Sequence, residues 1–304
     1  MVNPVLLIDG NNLSHRNYHA QNLSTSTGVP TGLTFGFLQS LLYVVANVRP
    51  RGMVCVWDER TSKEHRRTLF PGYKAHRDTT EIADDFYMQV DTLRLLLGAL
   101  GIQCVSSPDC EADDIIGYYA KRLNKMQTDC CVYSNDADLY QLITPSNADY
   151  CTLVFHPKDG IMTGTQVRNN PKFGVWPRHI VDFKALAGDS SDEYKGVPGV
   201  GPKNAAQIIN TIDGLDCLFT DPPTKIGMLG AKHAALLLMH REDIRVCREL
   251  ARLHTERCGN LNAVHGSRDM GYVQEVFQHL EFNEFLERRW HEFKNLPEGG
   301  FPDV

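Results

Sequence analysis

Short unbroken apolar runs and stripes of helical period alternate along the first half of the chain. Val5-Leu6-Leu7-Ile8 stops at Asp9-Gly10-Asn11-Asn12, Met53-Val54-Cys55-Val56-Trp57 stops at Asp58, and Cys130-Cys131-Val132-Tyr133 stops at Ser134-Asn135-Asp136. Runs this short, apolar at every position, predict strands buried on both faces of a parallel sheet and ending in polar loops. Between them the apolar residues recur at helical spacing: Phe35, Leu38, Leu42 and Val45, then Val90, Leu93, Leu97 and Leu100, then Ile115, Ile116, Tyr119 and Leu123. Strands alternating with helices predict the α/β class with a parallel sheet. Ligands of such sheets bind outside the carboxyl ends of the strands, so the acids that follow these runs are expected to converge on one crevice.

Residues 59–83 break the pattern. They carry Arg60, Lys63, Arg66, Arg67, Lys74 and Arg77 around Pro71-Gly72 with no sustained apolar stripe, and read as an insertion over the crevice mouth. After about residue 176 helical signals dominate, through the Gly-rich stretch at 196–201 to an amphipathic piece at 273–290. The expected division is an α/β core over 1–176 and a second, helical lobe over 177–304, with a frayed tail near Pro297.

Composition changes this picture in two places. Of the 304 residues 42% are hydrophobic and 22% charged, which is the balance of a folded soluble chain. No apolar run approaches the roughly 18 residues of a membrane helix and the N-terminus lacks a leader pattern, so the expected location is the cytoplasm. The nine cysteines form no C-x-x-C pair and are expected to be reduced structural thiols. A net charge of −6 argues against a polyanionic partner, since DNA binding rests on Lys and Arg displacing counterions. Setting nine acids aside as a cation site turns the remaining formal charge to +3 and reverses that conclusion.

Those acids lie in five places: Asp9; Asp58; Glu111, Asp113 and Asp114; Asp136 and Asp138; Asp189 and Asp192. At a helix N-terminus the three acids of the middle group can all point toward the strand ends. Each acid alone is adequately explained as the end of a strand, a helix cap or a turn residue. Five groups at matching topological positions are not, because crowded carboxylates repel and call for a cation. All-oxygen donors select Mg²⁺ or Mn²⁺, and two such ions about 3.5–4 Å apart can clamp the attacking and leaving oxygens of a phosphodiester.

The same residues carry a family resemblance. LLIDGNNLSHRNYHA, VWDE, RRTLFPGYKAHR, CEADDIIGYYAKRL, SNDADLYQLI and ALAGDSSDEYKGVPGVGPKNAAQII occur in an order that resembles the 5′ nuclease domain of bacterial DNA polymerase I and the stand-alone bacteriophage flap endonucleases and 5′ exonucleases, over about residues 4–250. The resemblance implies a PIN-like (Rossmann-like) core with a helical arch at about 59–90, and a C-terminal helical lobe with a helix-hairpin-helix or helix-three-turn-helix element at about 190–212. It implies a Mg²⁺-dependent 5′-3′ exonuclease or flap endonuclease in replication or repair. Asp9, Asp58, Glu111, Asp113 and Asp114 would serve one ion, and Asp136, Asp138, Asp189 and Asp192 the other. The chain departs from the family pattern at Ala137, where Lys is frequent, at Glu193-Tyr194-Lys195, and at His65-Arg66-Arg67. No polymerase or proofreading sequence follows, so primer removal coupled in cis to synthesis is not expected.

For DNA, the glycines Gly199 and Gly201 would let backbone N–H groups approach phosphates, with Lys203 adding a point charge, and the family also places K⁺ in this loop. A tight turn between packed helices is the plainer account of the same glycines. In the arch, Tyr73 is expected to stack on a base and Lys74 and Arg77 to contact the scissile phosphate as catalytic residues, against the plainer account of a solvated basic face. Arg16 is a further phosphate contact, while His15 and His19 are read as structural. The expected partner is DNA with a 5′ end, flap or nick, or an RNA·DNA hybrid, met by a monomer. A haloacid-type phosphatase would need D-x-D after the first strand, where this chain has Asp9-Gly10-Asn11. A PIN-type ribonuclease and a non-catalytic structure-specific DNA-binding protein are the remaining alternatives.

Overall fold

The three apolar runs form neighbouring central strands. The computed structural model of the chain describes residues 3–76, 84–220 and 225–297. Its seven-stranded sheet has the order β6-β5-β4-β1-β2-β3-β7, with β1 Val5–Asp9, β2 Gly52–Asp58, β3 Gln103–Ser107, β4 Cys130–Tyr133, β5 Thr152–His156, β6 Gly160–Met162 and β7 Asn262–Val264. β1 through β5 pair in parallel, and β6 and β7 close the two edges antiparallel. The chain runs outward from β1 through β2 to β3, then returns to the other side of β1 as β4 and β5, so the topological switch lies between β1 and β4. Asp9 ends β1 and Asp136 lies three residues beyond the end of β4, where an open parallel sheet forms its ligand crevice.

Helices α2 (Gly32–Val48) and α4 (Asp84–Ala99) follow the predicted periods and bury Leu38, Leu42, Leu93 and Leu97 on one face of the sheet, while α1 (Gly10–Tyr18) stands where a polar loop was expected after Asp9. On the other face α5 (Ala112–Lys125) buries Ile115, Ile116, Tyr119 and Leu123. Of the expected arch, the described parts are the short helix α3 (Glu64–Leu69), the turn that follows it to His76, and the start of α4. Residues 77–83, Arg77 among them, lie outside the described residues.

After α6 (Gly164–Asn169) the chain builds the helices α7 (Ile180–Ala187), α8 (Pro202–Ile212), α9 (Ala231–Met239) and α10 (Arg241–Ala251), whose apolar residues join the core on the α5 face. The final segment, expected with this helical part, instead returns to the sheet. β7 pairs with β3, and α11 (Met270–His279) and α12 (Trp290–Lys294) place Phe277 and Phe293 in the core on the α2 face, with Phe285 between them in sequence. Phe277, Phe285 and Phe293 pack with ring centroids 5.1–5.5 Å apart. None of the described helices is long and apolar enough to cross a membrane.

Candidate active site

Asp9 and Asp136 cap the helix or turn that follows them, and Asp58 caps a helix start far along the chain. Asp9 accepts the Asn12 N–H at 3.1 Å, Asp136 accepts the Asp138 N–H at 2.8 Å, and Asp58 accepts the Ala112 N–H at 2.7 Å, at the start of α5. Helix-start N–H groups carry partial positive charge and hold anions in place, so the plain capping account and the functional one describe the same geometry. Caps of this kind fix the carboxylates at the mouth of a cavity of about 690 Å³ lined by Asp9, Asp58, Glu111, Asp113 and Asp136, with Lys74 beside them. A second group lies next to it: one carboxylate oxygen each from Asp138, Asp189 and Asp192 fall within 4.8 Å of one another. The convergence inferred from strand ends is therefore present for Asp9, Asp58 and Asp136, which Glu111 and Asp113 join.

Asp114 is the exception. Its four lone-pair positions are filled by Arg66 Nη2 at 2.8 Å and the His254 N–H at 2.7 Å on one oxygen, and by Arg66 Nη1 at 2.9 Å and the Glu111 N–H at 3.2 Å on the other. Its side chain does not line the cavity. The expectation that Asp114 ligates an ion is corrected: it is a buried structural carboxylate whose acceptor capacity is used up. Arg66, in turn, donates all five of its N–H groups, to Asp114 twice, to Glu111, and to the carbonyls of Leu250 and Arg252. The basic tripeptide His65-Arg66-Arg67 thus contributes one buried hub that ties the acid-bearing start of α5 to the end of α10.

Tyr73 is also corrected. Expected to stack on a base, it is buried, and its hydroxyl donates to Glu111 at 3.0 Å and to Asp192 at 3.2 Å. Lys74, 8% exposed, adopts φ +51 and reaches between the two acid groups, 3.0 Å from Glu111 and 3.8 Å from Asp192. Glu193, one of the departures, accepts the His76 N–H at 2.7 Å and lies 2.8 Å from His76 Nδ1, fastening the start of the arch to the loop that carries Asp192.

Charge crowding is visible in the protonation equilibria. Burial, with Asp136 and Asp58 adding to it, raises the Asp9 carboxyl to about 7. Burial also raises Asp138 to about 7, partly offset by Lys184, and lifts Asp113 well above the usual carboxylate range, with Asp136 and Asp9 adding to the effect. Burial opposes ionisation of Glu111 too, but Lys74 and Arg66 outweigh it and bring that carboxyl to about 2. Acids driven in opposite directions within one cleft mark a site short of positive charge.

Around this centre stand groups that the sequence did not single out. His15 and His19, which were read as structural, line the cavity together with Arg16; His15 stacks on Phe86 with centroids 4.6 Å apart. Ser134 donates to Asp9 at 2.7 Å. Lys184, buried on α7, reaches both Asp138 and Asp189. Its signal in the sequence was a single cation among the apolar residues of Phe183-Lys184-Ala185-Leu186. Gly199, Gly201 and Lys203 do not line the cavity; they form an exposed loop and the start of α8. Gly199 has φ +79, and a Cβ at Gly199 or Gly201 would meet open space. The loop closes through the Val197 N–H donating to Leu186 O at 2.9 Å, beneath anchors Val197 and Val200.

Comparison with known proteins places this geometry in context. Residues 4–171 match the family model of the 5′-3′ exonuclease N-terminal resolvase-like domain, and residues 175–268 match that of the 5′-3′ exonuclease C-terminal SAM fold. The chain is 30% identical over 309 residues to DNA polymerase I of Mycobacterium tuberculosis, covering 99% of this chain and 32% of the relative. It thus spans about a third of the length of the DNA polymerase I relatives it matches. It is 35% identical over 205 residues to a 5′-3′ exonuclease of Aquifex aeolicus, covering 67% of this chain and 68% of that protein. Among solved structures, a bacteriophage T5 flap endonuclease in complex with DNA and metal ions superposes with a TM-score of 0.66 at 17% identity, covering 96% of this chain and 99% of that one. The T5 5′-exonuclease with bound zinc ions gives 0.65 at 18% identity, covering 81% and 88%. At these identities the likeness to the solved structures is one of fold, and it agrees with the expected PIN-like core and helical lobe.

Proposed function

The chain belongs to the 5′-3′ exonuclease family, and from that premise we propose that it is a divalent-metal-dependent structure-specific nuclease that hydrolyses DNA phosphodiesters near 5′ ends. One observation carries this reading: strand-end acids Asp9, Asp58 and Asp136 meet Glu111 and Asp113 around one cavity, beside the cluster of Asp138, Asp189 and Asp192. The acids gathered here offer carboxylate oxygens, which suit hard cations such as Mg²⁺ or Mn²⁺. The raised Asp9, Asp113 and Asp138 carboxyls support the same reading, because cations relieve the repulsion that raises them. Asp9, Asp58, Glu111 and Asp113 would hold one ion and Asp138, Asp189 and Asp192 a second, with Asp136 electrostatically coupled to both groups. Bound there, two ions would supply a nucleophilic water at neutral pH and charge neutralisation at the scissile phosphate.

The protein's own groups perform the remaining work. Lys74 presents its ammonium to the cavity and stabilises charge that grows on the phosphate during displacement. Tyr73 and Arg66 hold Glu111 in its orientation. Arg16 contacts the phosphate backbone at the cavity wall, while the Gly199–Gly201 loop and Lys203 contact duplex phosphates with the start of α8. The bacteriophage T5 neighbour is seen with DNA and metal ions, which supports DNA as the substrate class. The test is incubation with Mg²⁺ or Mn²⁺ on a 5′-flap, a nicked duplex and a flap with a blocked 5′ end. Release of 5′ products that stops with chelator is expected, and cleavage of the blocked flap identifies endonuclease action. Asp136→Asn combined with Asp138→Asn should abolish cleavage while DNA binding persists; near wild-type cleavage by that variant would defeat the site assignment.

A further inference from the structure

Cys110 and Cys258 meet inside the molecule from segments far apart in the chain. Cys110 stands between β3 and α5, immediately before Glu111, and Cys258 stands between the short turn Thr255–Arg257 and β7. Both are free thiols, 1% and 3% exposed, and their sulfurs lie 2.8 Å apart across a sequence separation of 148. A disulfide holds its sulfurs about 2.05 Å apart, so bond formation asks for a closure of about 0.8 Å. The segment around Cys258 also fastens the start of α5. Leu250 O and Arg252 O accept from Arg66, the His254 N–H donates to Asp114, Lys121 on α5 donates to the Thr255 hydroxyl at 2.9 Å, and Asn260 donates to Asp109 at 3.3 Å. Every one of these contacts is non-covalent, and Arg66 loses two of its acceptors when the segment lifts away from α5.

We propose that Cys110 and Cys258 form a modification site, cross-linked by a peroxide-class oxidant into a disulfide that staples residues 250–258 to the acid-bearing start of α5. Access runs through Cys258, whose neighbours Arg257 and Gly259 are exposed, so opening of this turn alone admits an oxidant as small as hydrogen peroxide. The peroxide O–O bond breaks as the Cys258 sulfur takes one hydroxyl, giving a sulfenic acid, and the thiol proton leaves with the other oxygen as water. The Cys110 sulfur then attacks the Cys258 sulfur: the S–S bond forms, the S–O bond breaks, and the hydroxyl leaves with the Cys110 proton as a second water. Two thiols are oxidised and one peroxide is reduced. The cross-link closes a long loop in the unfolded chain, which by the chain-entropy account restrains that ensemble strongly and so stabilises the fold. It also bars the separation that would strip Arg66, the partner of Glu111, of its acceptors. This chemistry is independent of what the acid site cleaves.

The experiment treats the full chain with hydrogen peroxide, blocks the remaining thiols by alkylation and maps peptides by mass spectrometry without reduction. The expected product is a linked pair of peptides carrying Cys110 and Cys258. Melting temperature should rise by roughly 5–10 °C over the reduced protein and return when dithiothreitol is added. Amide hydrogen exchange across residues 250–258 should slow with it. Cys110→Ala and Cys258→Ala, each compared with its own untreated sample, should abolish both the linked peptides and the rise. Cys217→Ala, at a half-buried thiol elsewhere, should keep both. Should either variant at the pair fail to fold, the wild-type map and its reversal by reductant still decide. Sulfinic acid at Cys258 without the linkage, or a linkage that leaves melting and exchange unchanged, overturns the proposal and makes the pair packed thiols only.

Discussion

Arg66 and Lys74 are adjacent to the same carboxylate, Glu111, but serve it in ways that separate experimentally. Arg66 uses every N–H it has in a buried setting, so Arg66→Ala leaves Glu111 and Asp114 facing each other without their partner. Removing one member of a buried pair costs about 3–5 kcal/mol, and a loss of that size is expected in a urea unfolding titration. A variant as stable as wild type would remove Arg66 from its place as hub. Asp114→Asn belongs to the same test: it should cost stability but leave Mn²⁺ affinity near that of wild type, because Asp114 has no acceptor capacity left for an ion. Lys74 faces the cavity, and Lys74→Ala should slow single-turnover cleavage by about 10²–10³, with only partial rescue by Arg. Lys63→Ala is the comparison, as a basic neighbour on the turn before α3 that does not line the cavity. If both substitutions alter rate and binding alike, Lys74 loses its catalytic assignment. Tyr73 shows why the residue scale misleads when read alone: an aromatic beside cations suggests base stacking, but its hydroxyl is drawn inside by two buried acids.

At the scale of elements, the strands whose every residue is apolar were legible and the others were not. β3 is Gln103-Cys104-Val105-Ser106-Ser107, too polar to stand out, and it is buried with its serine hydroxyls hydrogen-bonded. Ser106 donates to Glu59 at 2.7 Å and Ser107 accepts the Asp109 N–H at 3.1 Å. β7 is a three-residue exposed edge strand with no apolar run to announce it. The loop before α8, by contrast, was readable from its glycines, and its exposure makes a quantitative expectation possible. Lys203→Ala should weaken binding to duplexes of any sequence and reduce the slope of log K against log salt by about one, as for a single phosphate contact. An unchanged slope places Lys203 away from DNA. Gly199→Ala, forced to φ +79, should cost about 1–2 kcal/mol of local strain and weaken duplex binding with it.

For the whole molecule, the chain closes on itself: β7 lies beside β3, and the last helices fill the face opposite α5. A chain ending near residue 260 would lose Val273, Phe277, Phe285 and Phe293 from the core. Burial of each such side chain contributes about 1.5–3 kcal/mol, against a total stability of about 5–15 kcal/mol. The truncated chain is therefore expected to lack a cooperative thermal transition by circular dichroism. A sharp melt near that of the full chain would make the final segment an appendage.

By itself the sequence determined the central strands, the helices between them and the acids just beyond the strand ends. Those features rest on local periodicity and on a rule of parallel sheets that needs no coordinates. Tertiary structure alone decided which carboxylates remain open to an ion and which are consumed. Asp113 and Asp114 are neighbours in sequence, but one helix step turns Asp113 toward Asp136 and Asp9 and Asp114 toward Arg66 and His254. Sequence likewise could not separate Arg66 and Lys184 from solvated cations, since what distinguishes them is the low-dielectric space closed around them by segments far along the chain.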